Sequence, residues 1–122
     1  MGKKELSEEQ NKILKERGTE EPFSSSLVDN DKEGNYYCVN CGNLLFNSTH
    51  KFESGTGWPS FTKPANKDAL EYRKDKSLAT ERTEVICGKC GGHLGHVFPD
   101  GPQGKERYCV NGKILNFKEN GD

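Results

Sequence analysis

Four cysteines arranged as two CxxC pairs, "CVNC" (Cys38, Cys41) and "CGKC" (Cys87, Cys90), restrict the folds open to this chain more than any other feature. Each pair is followed by glycine, in "CVNCG" and "CGKCGG", and glycine tolerates the positive φ that turns backbone tightly beneath a bound ion. Two such knuckles supply four thiolates, which suits tetrahedral zinc in a closed structural site. Iron accepts the same ligand set. The pairs lie far apart in sequence, so one ion would clamp the two ends of a long segment. A pair of disulfides, or one thioredoxin-like redox pair, competes with this reading, although neither pair stands at the start of a helix as redox chemistry prefers.

A clamp is useful to a chain of this composition. With 122 residues, 30% hydrophobic against 30% charged, and 14 glycines, the sequence predicts one domain with a thin core and many turns. A formal charge of −1 gives no electrostatic footprint for nucleic acid or anionic membrane, and neither partner is expected. The N-terminus "MGKKELSEEQ" lacks the apolar run of a secretory signal, and no segment has the length of a membrane span. A cytoplasmic protein with reduced thiols is therefore expected, and nothing suggests more than a monomer.

Ser7 and Gln10 form a capping box ahead of "EEQNKILKER", which is acidic early, basic late and followed by Gly18, so one N-terminal helix is expected. Beyond it only short strand-like runs appear: "NYYCV", "NLLF", "ALEYR", "TEVIC", "GHVF", "RYCV" and "KILNF". A brief helical turn is expected near "KPANKDAL". The predicted class is mostly β, with antiparallel strands and a helix at the edge.

Cys109 is the one cysteine outside the pairs. Between "GHVF" and "RYCV" lies "PDGPQGKE", whose Pro99-Asp100-Gly101 opening favours a turn. A hairpin closed symmetrically on that loop sets Phe98 opposite Arg107, Val97 opposite Tyr108 and His96 opposite Cys109. Directly opposed residues have Cβ atoms about 4.5–5.5 Å apart. One face would then carry Leu94, His96, Phe98, Arg107, Cys109 and Asn111, and the other Val97, Tyr108 and Val110. Arg107 and a protonated His96 would favour thiolate at Cys109, the nucleophilic form. A slip of one residue would separate His96 from Cys109. His93 follows the second knuckle and could simply support that loop.

"SGTGWPSF" holds the single tryptophan, Trp58, between glycines and a proline, which favours an ordered loop displaying an aromatic wall over a strand burying it. Together with "CGGHLGHVFPDGP" and "RYCVNG", framed by the two CxxC pairs, this segment resembles the B-type methionine sulfoxide reductases, which act on the R epimer of methionine sulfoxide. The likeness runs from about residue 6 to residue 118, within a single domain spanning residues 1–122.

The resemblance implies a β-tent, two antiparallel sheets with short peripheral helices, in which one zinc ion on Cys38, Cys41, Cys87 and Cys90 serves structure. It implies Cys109 as nucleophile, Trp58 and Phe98 as the pocket for the substrate methyl group, and His93, His96 and Asn111 as polar groups around the sulfoxide oxygen. Arg107 resembles the supporting cation. Many family members carry a recycling cysteine in the tryptophan loop, where this chain has Thr56. A one-cysteine cycle is therefore expected, in which Cys109 becomes a sulfenic acid and an external thiol such as thioredoxin reduces it. A zinc-stapled binding module and a thiol peroxidase are the rival readings.

Overall fold

A computed structural model of the chain describes residues 6–16, 18–75 and 82–120. The N-terminal helix α1 runs over Glu8–Glu16. Its capping box forms: the Gln10 N–H donates to Ser7 Oγ at 3.0 Å and the Ser7 N–H to Gln10 Oε1 at 2.9 Å. Arg17, the last residue of the expected helix, lies outside the described residues. Ile13 and Leu14 are the buried face of α1, which packs on strand residues 93–98.

Among the described residues nine strands follow: β1 Gly34–Cys38, β2 Leu44–Asn47, β3 Lys51–Phe52, β4 Ser60–Phe61, β5 Leu70–Asp75, β6 Arg82–Cys87, β7 His93–Phe98, β8 Arg107–Val110 and β9 Leu115–Glu119. They form two antiparallel sheets, β2-β1-β9 and β3-β4-β8-β7-β6-β5. Each of the seven strand-like runs contributes to a strand, although Lys113 and Ile114 of "KILNF" form a 3-10 turn ahead of β9, and the mostly β class with two antiparallel sheets holds. The expected helical turn near "KPANKDAL" does not form. Instead Asn66 builds an Asx turn, accepting from the Asp68 N–H at 3.0 Å, and residues 66–69 close as a simple turn.

The core lies where the two sheets and α1 meet. Phe46 of β2 stacks on Phe61 of β4 with centroids 4.3 Å apart, and Tyr36 of β1 meets Phe61 edge-on at 5.1 Å. Tyr36, Phe46 and Phe61 are fully buried. Each contributes about 2–3 kcal/mol by removal of its ring from water. β4 is only two residues long, too short for a periodicity to reveal, yet it carries Phe61 into the core and pairs with β8.

The β7–β8 hairpin takes the symmetric register: Phe98 opposite Arg107, Val97 opposite Tyr108, His96 opposite Cys109. One part of the expected face is corrected. β6 pairs Val85 with Gly95 and Ile86 with His93, so Leu94 is the extra residue of a β-bulge. The bulge breaks the alternation, and Leu94 turns into the core, fully buried, instead of standing beside His96.

Candidate active site and metal centre

The two CxxC knuckles are built alike. In the first, the Gly42 N–H donates to the Cys38 carbonyl at 2.8 Å and the Cys38 N–H to the Asn43 carbonyl at 2.9 Å; in the second, Gly91 and Cys87, and Cys87 and Gly92, repeat both bonds at 2.9 Å. Gly42 and Gly91 have φ of 78° and 76°, the left-handed conformation anticipated from their positions. One knuckle ends β1 of the three-stranded sheet and the other ends β6 of the six-stranded sheet.

The four sulfurs lie within 4.8 Å of one another, and the cluster could hold a metal ion. Cys38 and Cys90 are 3.8 Å apart, Cys41 and Cys87 3.5 Å, close to the ~3.8 Å edge of a tetrahedron of thiolates at about 2.3 Å from a central zinc. Charge crowding is the other half of this fit. A hydrogen bond from Cys38 holds the Cys87 thiol down to about 4, while the same bond to Cys87, then burial, pushes Cys38 up. Burial, aided by the Cys87 charge, raises Cys41 to about 11. Four sulfurs this close could all ionise only with a cation among them, and none of the five cysteines is in a disulfide.

Cys109 is half-buried on β8, flanked by His96 of β7 and by Ser60 of β4 as its register partners. The Thr56 hydroxyl lies 3.6 Å from its sulfur. Arg107, two residues before it, is stretched over the Phe98 ring at 4.3 Å and forks onto Asp100, with Nε donating to Oδ1 at 2.8 Å and Nη2 to Oδ2 at 3.3 Å. The hydrogen bond to Asp100, with a smaller contribution from Cys109, reinforces the guanidinium charge, and the same bond holds the Asp100 carboxyl below the usual carboxylate range. An open cavity of about 440 Å³ is lined by Thr56 and Arg107 along with Phe52, Glu53 and Pro102.

The bulge at Leu94 reorganises the histidines. In a strictly alternating strand His93 and His96 would face opposite sides, but here their rings meet edge-on with centroids 5.5 Å apart. His93 is buried, and its Nδ1 lies 2.7 Å from Oε2 of Glu84, itself 1% exposed. Glu84 belongs to β6 and sits opposite His96 in the ladder. It is a residue that sequence reasoning missed. The available signal was a carboxylate inside "TEVIC", an otherwise apolar strand.

Asn111 is buried, and its amide bridges two segments: Nδ2 donates to the Leu94 carbonyl at 3.0 Å, and Oδ1 accepts from the Glu20 N–H at 2.9 Å. Trp58 is half-buried, in a loop as expected, and its indole N–H donates to the Glu20 carbonyl at 3.0 Å. Glu20 also accepts the Lys113 N–H on Oε1 at 2.8 Å. This buried residue, also missed from sequence, therefore ties Trp58, Asn111 and Lys113 together. Burial raises its carboxyl pKa above the ordinary value, against the lowering by backbone donors. The structure thus groups Cys109, His96, His93, Arg107 and Phe98 along one hairpin, whereas Trp58 and Asn111 meet through Glu20.

Comparison with known proteins gives this geometry its context. The SelR domain family matches residues 6–119. A peptide methionine sulfoxide reductase MsrB of Leptospira interrogans is 50% identical over 118 residues, covering 96% of this chain and 90% of its own. The MsrB of Methanosarcina barkeri is 52% identical over 118 residues, 95% and 82% of the two chains. That of Escherichia coli O139:H28 is 49% identical over 123 residues, 98% and 90%. On the match to nearly its full length, this chain belongs to the SelR-domain family, the B-type methionine sulfoxide reductases.

Proposed function

We propose that the chain reduces the R epimer of methionine sulfoxide by a one-cysteine cycle at Cys109. The observation that supports this most directly is the pairing of His96 with Cys109 in a hairpin whose sulfur meets a hydroxyl, Thr56, where a recycling thiol would be needed. The Cys109 thiolate attacks the electrophilic sulfur, and protons reach the sulfoxide oxygen from His96, with His93 as the second candidate. The S–O bond of the substrate breaks, methionine leaves, and Cys109 keeps the oxygen as sulfenic acid. An external thiol then displaces water to form a mixed disulfide, and a second thiol restores Cys109 and departs as the oxidised disulfide. Arg107 supplies positive charge beside the sulfur. Trp58 and Phe98 supply the apolar wall for the methyl group, and donors on the oxygen side read the chirality at sulfur.

Cys38, Cys41, Cys87 and Cys90 would hold one zinc ion, which contributes folding energy and no step of the reaction. Four cysteines clustered to hold zinc and a fifth on β8 suit a reducing compartment such as the cytoplasm and an external reductant such as thioredoxin. Among the described residues no helix is long and apolar enough to cross a membrane.

The test is turnover with dithiothreitol and each separated epimer, beside Cys109→Ser. Methionine is expected from the R epimer alone and only with Cys109 present. After one turnover without reductant, mass spectrometry should find one oxygen on Cys109 and one zinc per chain. An intramolecular disulfide at Cys109 would overturn the one-cysteine cycle.

A further inference from the structure

Three hydroxyls run in sequence away from the Cys109 sulfur. Thr56 Oγ1 is 3.6 Å from Sγ, Ser54 Oγ is 2.8 Å from Thr56 Oγ1, and Ser60 Oγ is 2.7 Å from Ser54 Oγ. The chain ends where Ser60 Oγ lies 3.1 Å from the Trp58 carbonyl oxygen, and the Thr56 N–H donates to Ser54 Oγ at 3.3 Å. Ser60 is fully buried, and it is the ladder partner of Cys109. Water is thus excluded from the far end of the chain.

Each hydroxyl owns one hydrogen, so with the thiol hydrogen present a single orientation makes all four links, and without it three hydrogens serve four links and one link is given up. With Cys109 as a thiol, the S–H donates to Thr56, Thr56 to Ser54, Ser54 to Ser60, and Ser60 to the Trp58 carbonyl. With Cys109 as a thiolate, the arrangement that keeps all three hydroxyls linked to the sulfur turns every hydrogen the other way. Ser60 then donates to Ser54, Ser54 to Thr56, and Thr56 to the sulfur, at the loss of the bond to the Trp58 carbonyl. No covalent bond changes; only torsions do.

We propose that Thr56, Ser54 and Ser60 form a reversible hydroxyl chain that donates to the Cys109 sulfur in its ionised form, and that Thr56 is thereby a further catalytic residue. This rests on Cys109 as the nucleophile. A charge-assisted donor is stronger than a neutral one, and each hydroxyl polarises the next. The same Thr56 hydrogen can be offered to the oxygen-bearing sulfur after turnover, beside the cavity that Thr56 and Arg107 line. The ionisable groups facing Cys109 are His96 from β7 and Arg107 from its own strand; β4 brings Ser60 and Phe61 only.

The test uses the metal-loaded protein and iodoacetamide at pH 7, with alkylation of Cys109 followed by mass spectrometry. Thr56→Val is expected to slow alkylation about tenfold and Thr56→Ser to stay within about twofold of the parent. Ser54→Ala, which removes no group touching the sulfur, is expected to slow it about threefold because it cuts the second link. Circular dichroism and metal content check folding; should Thr56→Val not fold, the comparison of Ser54→Ala with Thr56→Ser decides. Alkylation of Thr56→Val at the parent rate would overturn the proposal. Slow Thr56→Val with Ser54→Ala at the parent rate would overturn the chain, leaving a single contact. Alkylation involves no sulfoxide, so a parent protein inactive on both epimers would sink the reductase reading while this result stood.

Discussion

Glu84 and Glu20 are two buried carboxylates with different tasks. Glu84 fixes the His93 ring by a short contact to Nδ1, and that ring packs edge-on against the neighbouring His96. Glu84→Gln preserves the shape but offers an amide where a carboxylate was. Its expected effect is a loss of about tenfold in kcat with KM little changed, and a displaced pH profile, whereas His96→Ala should cost about a hundredfold in kcat. Steady-state kinetics across pH checks both. Glu20 has a carboxyl pKa raised by burial, so the folded protein holds that proton more tightly than the unfolded chain. Its contribution to stability is complete at low pH and is lost as pH climbs through the raised value. Urea unfolding from pH 5 to pH 8 should therefore show the parent losing more stability than Glu20→Gln, which cannot ionise.

The β6–β7 ladder shows how one extra residue assembles a site. Leu94 enters the core, His93 and His96 come together, and Gly95 is left against β8, where an added Cβ would lie 2.1 Å from the Cys109 carbonyl oxygen. Gly95→Ala is expected to destabilise the protein by about 3 kcal/mol and to lower activity in the fraction that folds, since the clash is with backbone of the residue proposed as nucleophile. Thermal unfolding and turnover measure the two effects. The loop-closing logic of Pro99-Asp100-Gly101 made the β7–β8 register legible from sequence, and the CxxC-Gly spacing made the knuckles legible. The bulge was not, because nothing in "HLGHVF" marks Leu94 as the supernumerary residue; only the pairing with Val85 and Ile86 does. β4 was invisible for another reason. Two residues have no period, and Ser60 and Phe61 become a strand only because β3 and β8 flank them.

At the scale of the molecule, the two sheets are joined through Phe46 on Phe61 in the core and through the four sulfurs at one end. A core drawn from a chain with 30% hydrophobic residues would leave a metal bound at the four cysteines a large share of the stability. Cys41→Ser, or exhaustive chelation, is expected to cost about 3 kcal/mol or more and to lower the unfolding midpoint, read by circular dichroism with metal released in step.

The middle strand of the smaller sheet has a further consequence, in time. β1 pairs with β2 locally, but its other edge waits for β9, with Gly34 meeting Glu119 from the far end of the sequence. Distant pairings of this kind must meet the entropy of closing a long loop before any contact rewards it, and such topologies fold in milliseconds to seconds. An ion bridging Cys38 and Cys90, 52 positions apart, divides that loop before β9 arrives. The chain refolded with zinc should therefore reach its native fluorescence sooner than the chain to which zinc is added last, which would make the metal a timekeeper of assembly as well as a fastener.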